Sequence, residues 1–89
     1  MYQVFLSQRA NRDLSSVYRT DRKIAETIDK CIMALTSEPR PRGCKKLDGY
    51  EIKDAYRIRI RHYRVIYTVD DANKRVEIEV VQRRSDDYR

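Results

Sequence analysis

Tryptophan is absent from this chain, phenylalanine and histidine occur once each, and glycine, proline and cysteine only twice each. Each scarcity narrows the possibilities. The two cysteines, Cys31 and Cys44, lack metal-ligand spacing. They read as reduced thiols, one in a core and one in a loop, of a cytosolic protein. No run of apolar residues approaches the length needed to cross a bilayer, and no signal peptide precedes Tyr2, so we expect a soluble cytoplasmic protein with no membrane role. No repeat, linker or low-complexity segment interrupts the chain. At 89 residues it should form a single domain, 1–89. Such a chain buries only roughly 60–65% of its unfolded surface, so the core should be one thin layer.

What the chain has in abundance is positive charge. Charged residues make up 38% of it, the net charge is +6, and arginine outnumbers lysine 14 to 6. A basic balance speaks to partners rather than to fold. The preference for arginine sharpens this, because a guanidinium fork grips phosphate through two hydrogen bonds where lysine offers a point charge. Seven tyrosines supply amphipathic rings that can stack or donate a hydroxyl.

Residues 2–6 read as a short first strand. Ser7 can cap a helix carrying Ala10, Leu14, Val17 and Tyr18 at helical spacing, and Thr20 or Asp21 can cap a second. Ile24, Ile28, Cys31, Ile32 and Leu35 form the stripe of that second helix. Pro39, Pro41 and Gly43 break the pattern and leave a basic loop, residues 40–46, in which Lys45 and Lys46 suit salt-sensitive phosphate steering. Gly49 marks a further turn. The remainder reads as three strands, giving an α+β domain of order β-α-α-β-β-β, an antiparallel sheet packed by an N-terminal helical hairpin.

The hairpin Tyr56 to Tyr67 carries most of the functional signal. Its first arm alternates arginine with isoleucine, the period of a strand with one buried and one exposed face. With Arg61-His62 as the turn, Ile60 meets Tyr63, Ile58 meets Val65, and Arg59 falls opposite Arg64. Like charges opposed on a sheet are destabilising, so Arg57, Arg59, Arg61 and Arg64 on one face imply an anion, and RNA above all. In the last strand, a regular ladder that keeps Val69 opposite Val76 puts Val65 opposite Val80, Arg64 opposite Val81 and Arg83 opposite His62. Arg59, Arg64 and Arg83 should then converge at one end of the arginine face, with Tyr88 within reach.

These residues also carry a resemblance. Tyr56-Arg57-Ile58-Arg59, Tyr63-Arg64-Val65-Ile66-Tyr67, Gln82-Arg83-Arg84 and Asp87-Tyr88-Arg89 resemble the RelE family of bacterial toxins. So do the Arg-Ala-x-Arg-Asp-Leu run from Arg9 to Leu14 and Lys46-Leu47-x-Gly before the hairpin. The resemblance implies the compact RelE-like, microbial-RNase-like fold and the toxin of a type II toxin–antitoxin system. Its activity would be ribosome-dependent cleavage of mRNA in A-site codons, by attack of the ribose 2′-hydroxyl on the adjacent phosphate. By motif position the catalytic set is Arg57, Arg59, Arg64, Arg83 and Tyr88, with Arg61, Lys45, Lys46 and Arg84 binding RNA or ribosome. No cofactor and no metal are implied. The partners implied are the ribosome, mRNA and a cognate antitoxin, RelB-like or of another type II kind, held in a hetero-oligomer.

The pattern departs from well-known members, which carry lysine where Arg57 and Arg59 stand. Lysine can lose its proton when its pKa is depressed, whereas arginine stays charged. Three other readings stay open on the residues alone. The arginines can be the solvated, aggregation-resisting face of an edge strand. The chain can poison DNA gyrase, as the ParE branch of the superfamily does, or bind nucleic acid without chemistry.

Overall fold

In the computed structural model, which describes residues 1–83, the chain runs β1 (Gln3–Leu6), α1 (Gln8–Thr20), α2 (Arg22–Ala34), β2 (Lys45–Lys46), β3 (Ala55–Ile60), β4 (Tyr63–Asp70) and β5 (Arg75–Arg83). The strands form one five-stranded sheet in the order β1-β5-β4-β3-β2. The helical pair carries the chain from one edge of the sheet to the other. From there β2, β3, β4 and β5 meander back until β5 lies beside β1. Four alternating strands leave β5 running the same way as β1, so this pair is parallel while the others are antiparallel. The sheet is thus mixed, where the sequence suggested an all-antiparallel one. The pair Lys45–Lys46, expected in a loop, forms a two-residue strand on β3.

Short polar side chains fix the helix ends. Ser7 Oγ accepts from the Ala10 N–H at 3.0 Å, and Asp21 Oδ1 accepts from the Ile24 N–H at 3.2 Å. Each cap satisfies a donor that the first helical turn leaves open, worth about 1 kcal/mol. Asp21 rather than Thr20 starts α2, because the Thr20 hydroxyl bonds back to the Ser16 and Val17 carbonyls within α1. From α1, Ala10, Leu14 and Val17 face the sheet, and from α2, Ile24, Ala25, Ile28, Ile32 and the flanking Leu35 do the same. They meet Ile60, Val65, Tyr67, Val76, Ile78 and Val81 in the main core. The Tyr67 hydroxyl donates to the Pro39 carbonyl at 2.8 Å, and Arg40 pairs with Asp71 at 2.9 Å, pinning the chain after α2 to the sheet.

The β3–β4 ladder follows the expected register: Ile60 opposite Tyr63, Ile58 opposite Val65, and Arg59 opposite Arg64. The β4–β5 ladder follows it only in part. Val69 faces Val76 and Tyr67 faces Ile78, but Ile66 then faces Val80, leaving Glu79 as an extra residue in β5. This bulge corrects the pairings expected beyond it. Val65 lies opposite Val81 rather than Val80, Arg64 opposite Gln82 rather than Val81, and Arg83 opposite Tyr63 rather than His62. One extra residue inverts the side-chain parity of everything after it.

The bulge is held from the α1 side. The Ser7 N–H donates to the Ile78 carbonyl at 2.9 Å, and the Ser7 hydroxyl donates to the Glu79 carbonyl at 2.8 Å. The Val81 N–H donates to Asp13 Oδ2 at 3.0 Å. Beyond the end of β1, the edge of β5 is thus satisfied by the start of α1 instead of by another strand.

Candidate nucleic-acid interface

The face of the sheet away from the helices carries the cations. Directly opposed residues share a face, so Lys45 on β2, Arg57 on β3, Ile66 on β4 and Val80 on β5 form one cross-strand row. Arg59, Arg64 and Gln82 form the next. The structure thereby brings together Arg57, Arg59, Arg64 and Lys45 from three strands. Arg59 is exposed, while Arg57 and Arg64 are half-buried. Gln82 orients one of them: Arg64 Nε donates to Gln82 Oε1 at 2.8 Å. Four cations on one side of a thin sheet suit several phosphate oxygens at once, each charge-assisted contact being stronger than a neutral one.

Three apolar residues lie in the floor of this face, and they are covered. Ala55, Ile66 and Val80 form a second small core, against which Leu47, Tyr50 and Ile52 of the β2–β3 connection pack. The Leu47 N–H donates to the Ala55 carbonyl at 2.8 Å, and Gly49 takes a φ of 71°, a left-handed turn that returns the loop over the sheet. The loop forms a wall beside the arginine row.

The remaining expected residues are dispersed. Lys46 shares a row with Tyr56 and Tyr67 on the helix side, and its ammonium lies 3.5 Å from Asp54. Arg61 is exposed in the β3–β4 turn with a φ of 56°, and His62 beside it is exposed too. The Glu79 bulge puts Arg83 on the helix-covered side, in a groove with Asp13, Ser16, Thr20 and Tyr63, away from the Arg59–Arg64 row with which it was expected to converge. Arg84 and Tyr88 lie outside the described residues. Among the described residues no cluster of histidine, cysteine or carboxylate side chains could hold a metal, and no helix is long and apolar enough to cross a membrane.

Sequence reasoning missed Gln82 and the wall. A trace of the wall was present in Ile66, an apolar residue on a face otherwise charged. Gln82 had no such trace, because its placement depends on the bulge. Glu79, at the bulge, has its carboxyl pushed above the ordinary glutamate range by burial and, less strongly, by the charge of Glu77.

Comparison with known proteins accords with this geometry. The archaeal RelE of the RelE–RelB complex from Pyrococcus horikoshii OT3 is 29% identical, with 94% of this chain and 96% of that one covered and a TM-score of 0.79. The toxin–antitoxin complex RelBE2 from Mycobacterium tuberculosis contains a chain 28% identical, covering 93% and 98%, with a TM-score of 0.77. The isolated E. coli RelE toxin is 25% identical over 93% of this chain and 84% of that one, with a TM-score of 0.75. No curated protein sequence matches. The model of the ParE toxin of the type II toxin–antitoxin system parDE matches residues 4–88, nearly the whole length. The chain belongs to that family, within the RelE/ParE superfamily of type II toxins.

Proposed function

We propose that this toxin is an mRNA endoribonuclease of the RelE kind, acting on codons in the ribosomal A site as a single toxin domain. The observation that carries the reading is the convergence of Arg57, Arg59 and Arg64, with Lys45 beside them, on the open face of the sheet. Attack of a ribose 2′-hydroxyl on the adjacent phosphate adds negative charge to the phosphoryl oxygens before the 5′-oxygen leaves. Preorganised guanidinium groups stabilise that charge most strongly where it develops. In this reading Arg64, oriented by Gln82, and Arg57 hold the phosphate, and Arg59 meets the developing charge. Proton transfer needs a further group, since arginine stays protonated. Tyr88 is the residue that the resemblance supplies for it. Lys46, Arg61, Arg83 and Arg84 would contact RNA or ribosome more peripherally. The relatives solved with RelB support an antitoxin partner for this chain, whose acidic segments would cover the arginine face.

The family match, whose description is ParE, favours a second reading: a toxin that poisons DNA gyrase without cutting RNA. Primer extension on a message translated in a cell-free system separates the two. Cuts within codons that require ribosomes and vanish with Arg64→Ala support the ribonuclease. Intact message together with gyrase-dependent DNA breaks would establish the other.

A further inference from the structure

Among the tyrosines of residues 1–83, four have hydroxyl partners. Tyr2 donates to Asp71, Tyr18 to Asp29 and Tyr67 to the Pro39 carbonyl, while Tyr56 accepts from Arg40. Tyr50 and Tyr63 have none among the described residues. Tyr63 faces the helix side and packs on the main core. Tyr50 lies on the other side of the sheet, half-buried against the floor formed by Ala55, Ile66 and Val80. Ile66 is directly opposite Arg57 in the ladder, so that floor begins one strand from the arginine row. Neighbouring strands are about 4.8 Å apart, so the floor on which Tyr50 packs lies directly beside Arg57 and two residues along β4 from Arg64.

An aromatic ring supported from below by branched aliphatic side chains, with cations along one side, suits a flat apolar base joined to a phosphate. We propose that Tyr50 is a nucleobase platform: the base of a single-stranded ribonucleotide stacks on its ring while the adjoining phosphate lies on Arg57 and Arg64. The inference rests on the RNA reading above and adds to it an RNA-binding residue in the β2–β3 connection. Bases stack on aromatic side chains with little dependence on sequence, so the platform sets the position of the strand more than its identity. The turn at Gly49 and the short Leu47–Ala55 hydrogen bond hold the platform in place.

The lack of native tryptophan makes a direct test available. Tyr50→Trp gives the full chain one indole, whose fluorescence is quenched by a stacked base. Titration with a single-stranded oligoribonucleotide should quench it, and titration with inorganic polyphosphate, which has charge but no bases, should not. Tyr50→Leu keeps an apolar cover over Ile66 and Val80 but removes the π face. It should weaken oligoribonucleotide binding about tenfold. It should leave polyphosphate binding unchanged, and Tyr50→Phe should bind RNA as the wild type does. If Tyr50→Leu binds RNA normally while Arg64→Ala does not, the platform is overturned and the RNA reading stands. Equal weakening towards RNA and polyphosphate would also overturn it, reducing Tyr50 to a support for the sheet. No binding of RNA by the wild-type chain removes both.

Discussion

Arg64 Nε donates to Gln82 Oε1 at 2.8 Å, across a pairing that exists only because β5 carries an extra residue at Glu79. A guanidinium fixed through one nitrogen loses less freedom when it closes on a phosphate. Gln82→Ala should therefore weaken RNA binding about threefold to tenfold, the size of one net hydrogen bond. Cleavage should fall with it, while the melting temperature stays near that of the wild type. Affinity measured with labelled oligoribonucleotide, alongside thermal melts, checks both halves.

The same bulge separates Arg64 from Arg83, and salt dependence can reveal the separation. Each phosphate contact on a single strand contributes about 0.7 to the slope of log affinity against log salt. Arg64→Ala should lower that slope by about one such contact. Arg83→Ala, altering a side chain in the groove beside Asp13 and Tyr63, should lower it by less. An equal loss from both variants would mean that Arg83 reaches round the end of the sheet to the same strand of RNA.

The parts of this site that follow a strict period were legible in the sequence. From Tyr56 to Tyr67 the alternation runs through a two-residue turn with a break only at Ile66, and every pairing read from it occurs. Both helices were legible for the same reason, since their apolar stripes repeat at helical spacing and each begins at a capping side chain. The end of β5 was not. Its bulge depends on Ser7 and Asp13, more than sixty residues away, satisfying backbone groups that a regular ladder would have used. The only local trace is the adjacent pair Val80 and Val81, both buried, one on each side of the sheet. The wall over the arginine face was hidden likewise, because nothing local in Leu47, Tyr50 and Ile52 shows which face they cover.

The bulge latch has its own energetic test. In Asp13→Ala the Val81 N–H loses its acceptor in a part-buried position, which costs about 1–3 kcal/mol. Asp13→Asn keeps a carbonyl acceptor and should cost less. Urea denaturation at neutral pH should rank wild type, Asn and Ala in descending stability. Because the latch sets where Gln82 and Arg64 meet, Asp13→Ala should also weaken RNA binding, although Asp13 itself lies on the helix side.

A carboxylate far from the arginine face should contribute to the acid limit of stability. Asp71 is held down to about 2 by its hydrogen bonds from Arg40 and, next, from Tyr2. A carboxyl whose folded pKa lies below its unfolded value contributes stability above the unfolded value, and that contribution is lost as pH falls through the folded one. The loss should begin near pH 4 and be complete near pH 2. Asp71→Asn should be less stable than the wild type at neutral pH, with the difference closing across that window. Urea midpoints measured in steps of about one unit from pH 6 to pH 2 would show it, and a constant gap would assign the acid limit to other carboxylates.

Glu79 should behave in the opposite sense. Burial, with a further contribution from Glu77, raises its folded pKa above the unfolded one, so the folded chain holds this proton more tightly than the unfolded chain does. The stability it contributes is fully present below the unfolded pKa and is lost as pH rises through the folded value. At neutral pH the ionised carboxylate therefore opposes folding. Glu79→Gln removes the charge but keeps the backbone carbonyl that accepts from Ser7, so the bulge can remain. The variant should melt above the wild type at neutral pH, and the gap should shrink as the pH falls below the ordinary glutamate range. If Glu79→Gln instead melts lower at neutral pH, the carboxylate is needed to hold the bulge, and RNA binding through Arg64 and Gln82 should fall with it.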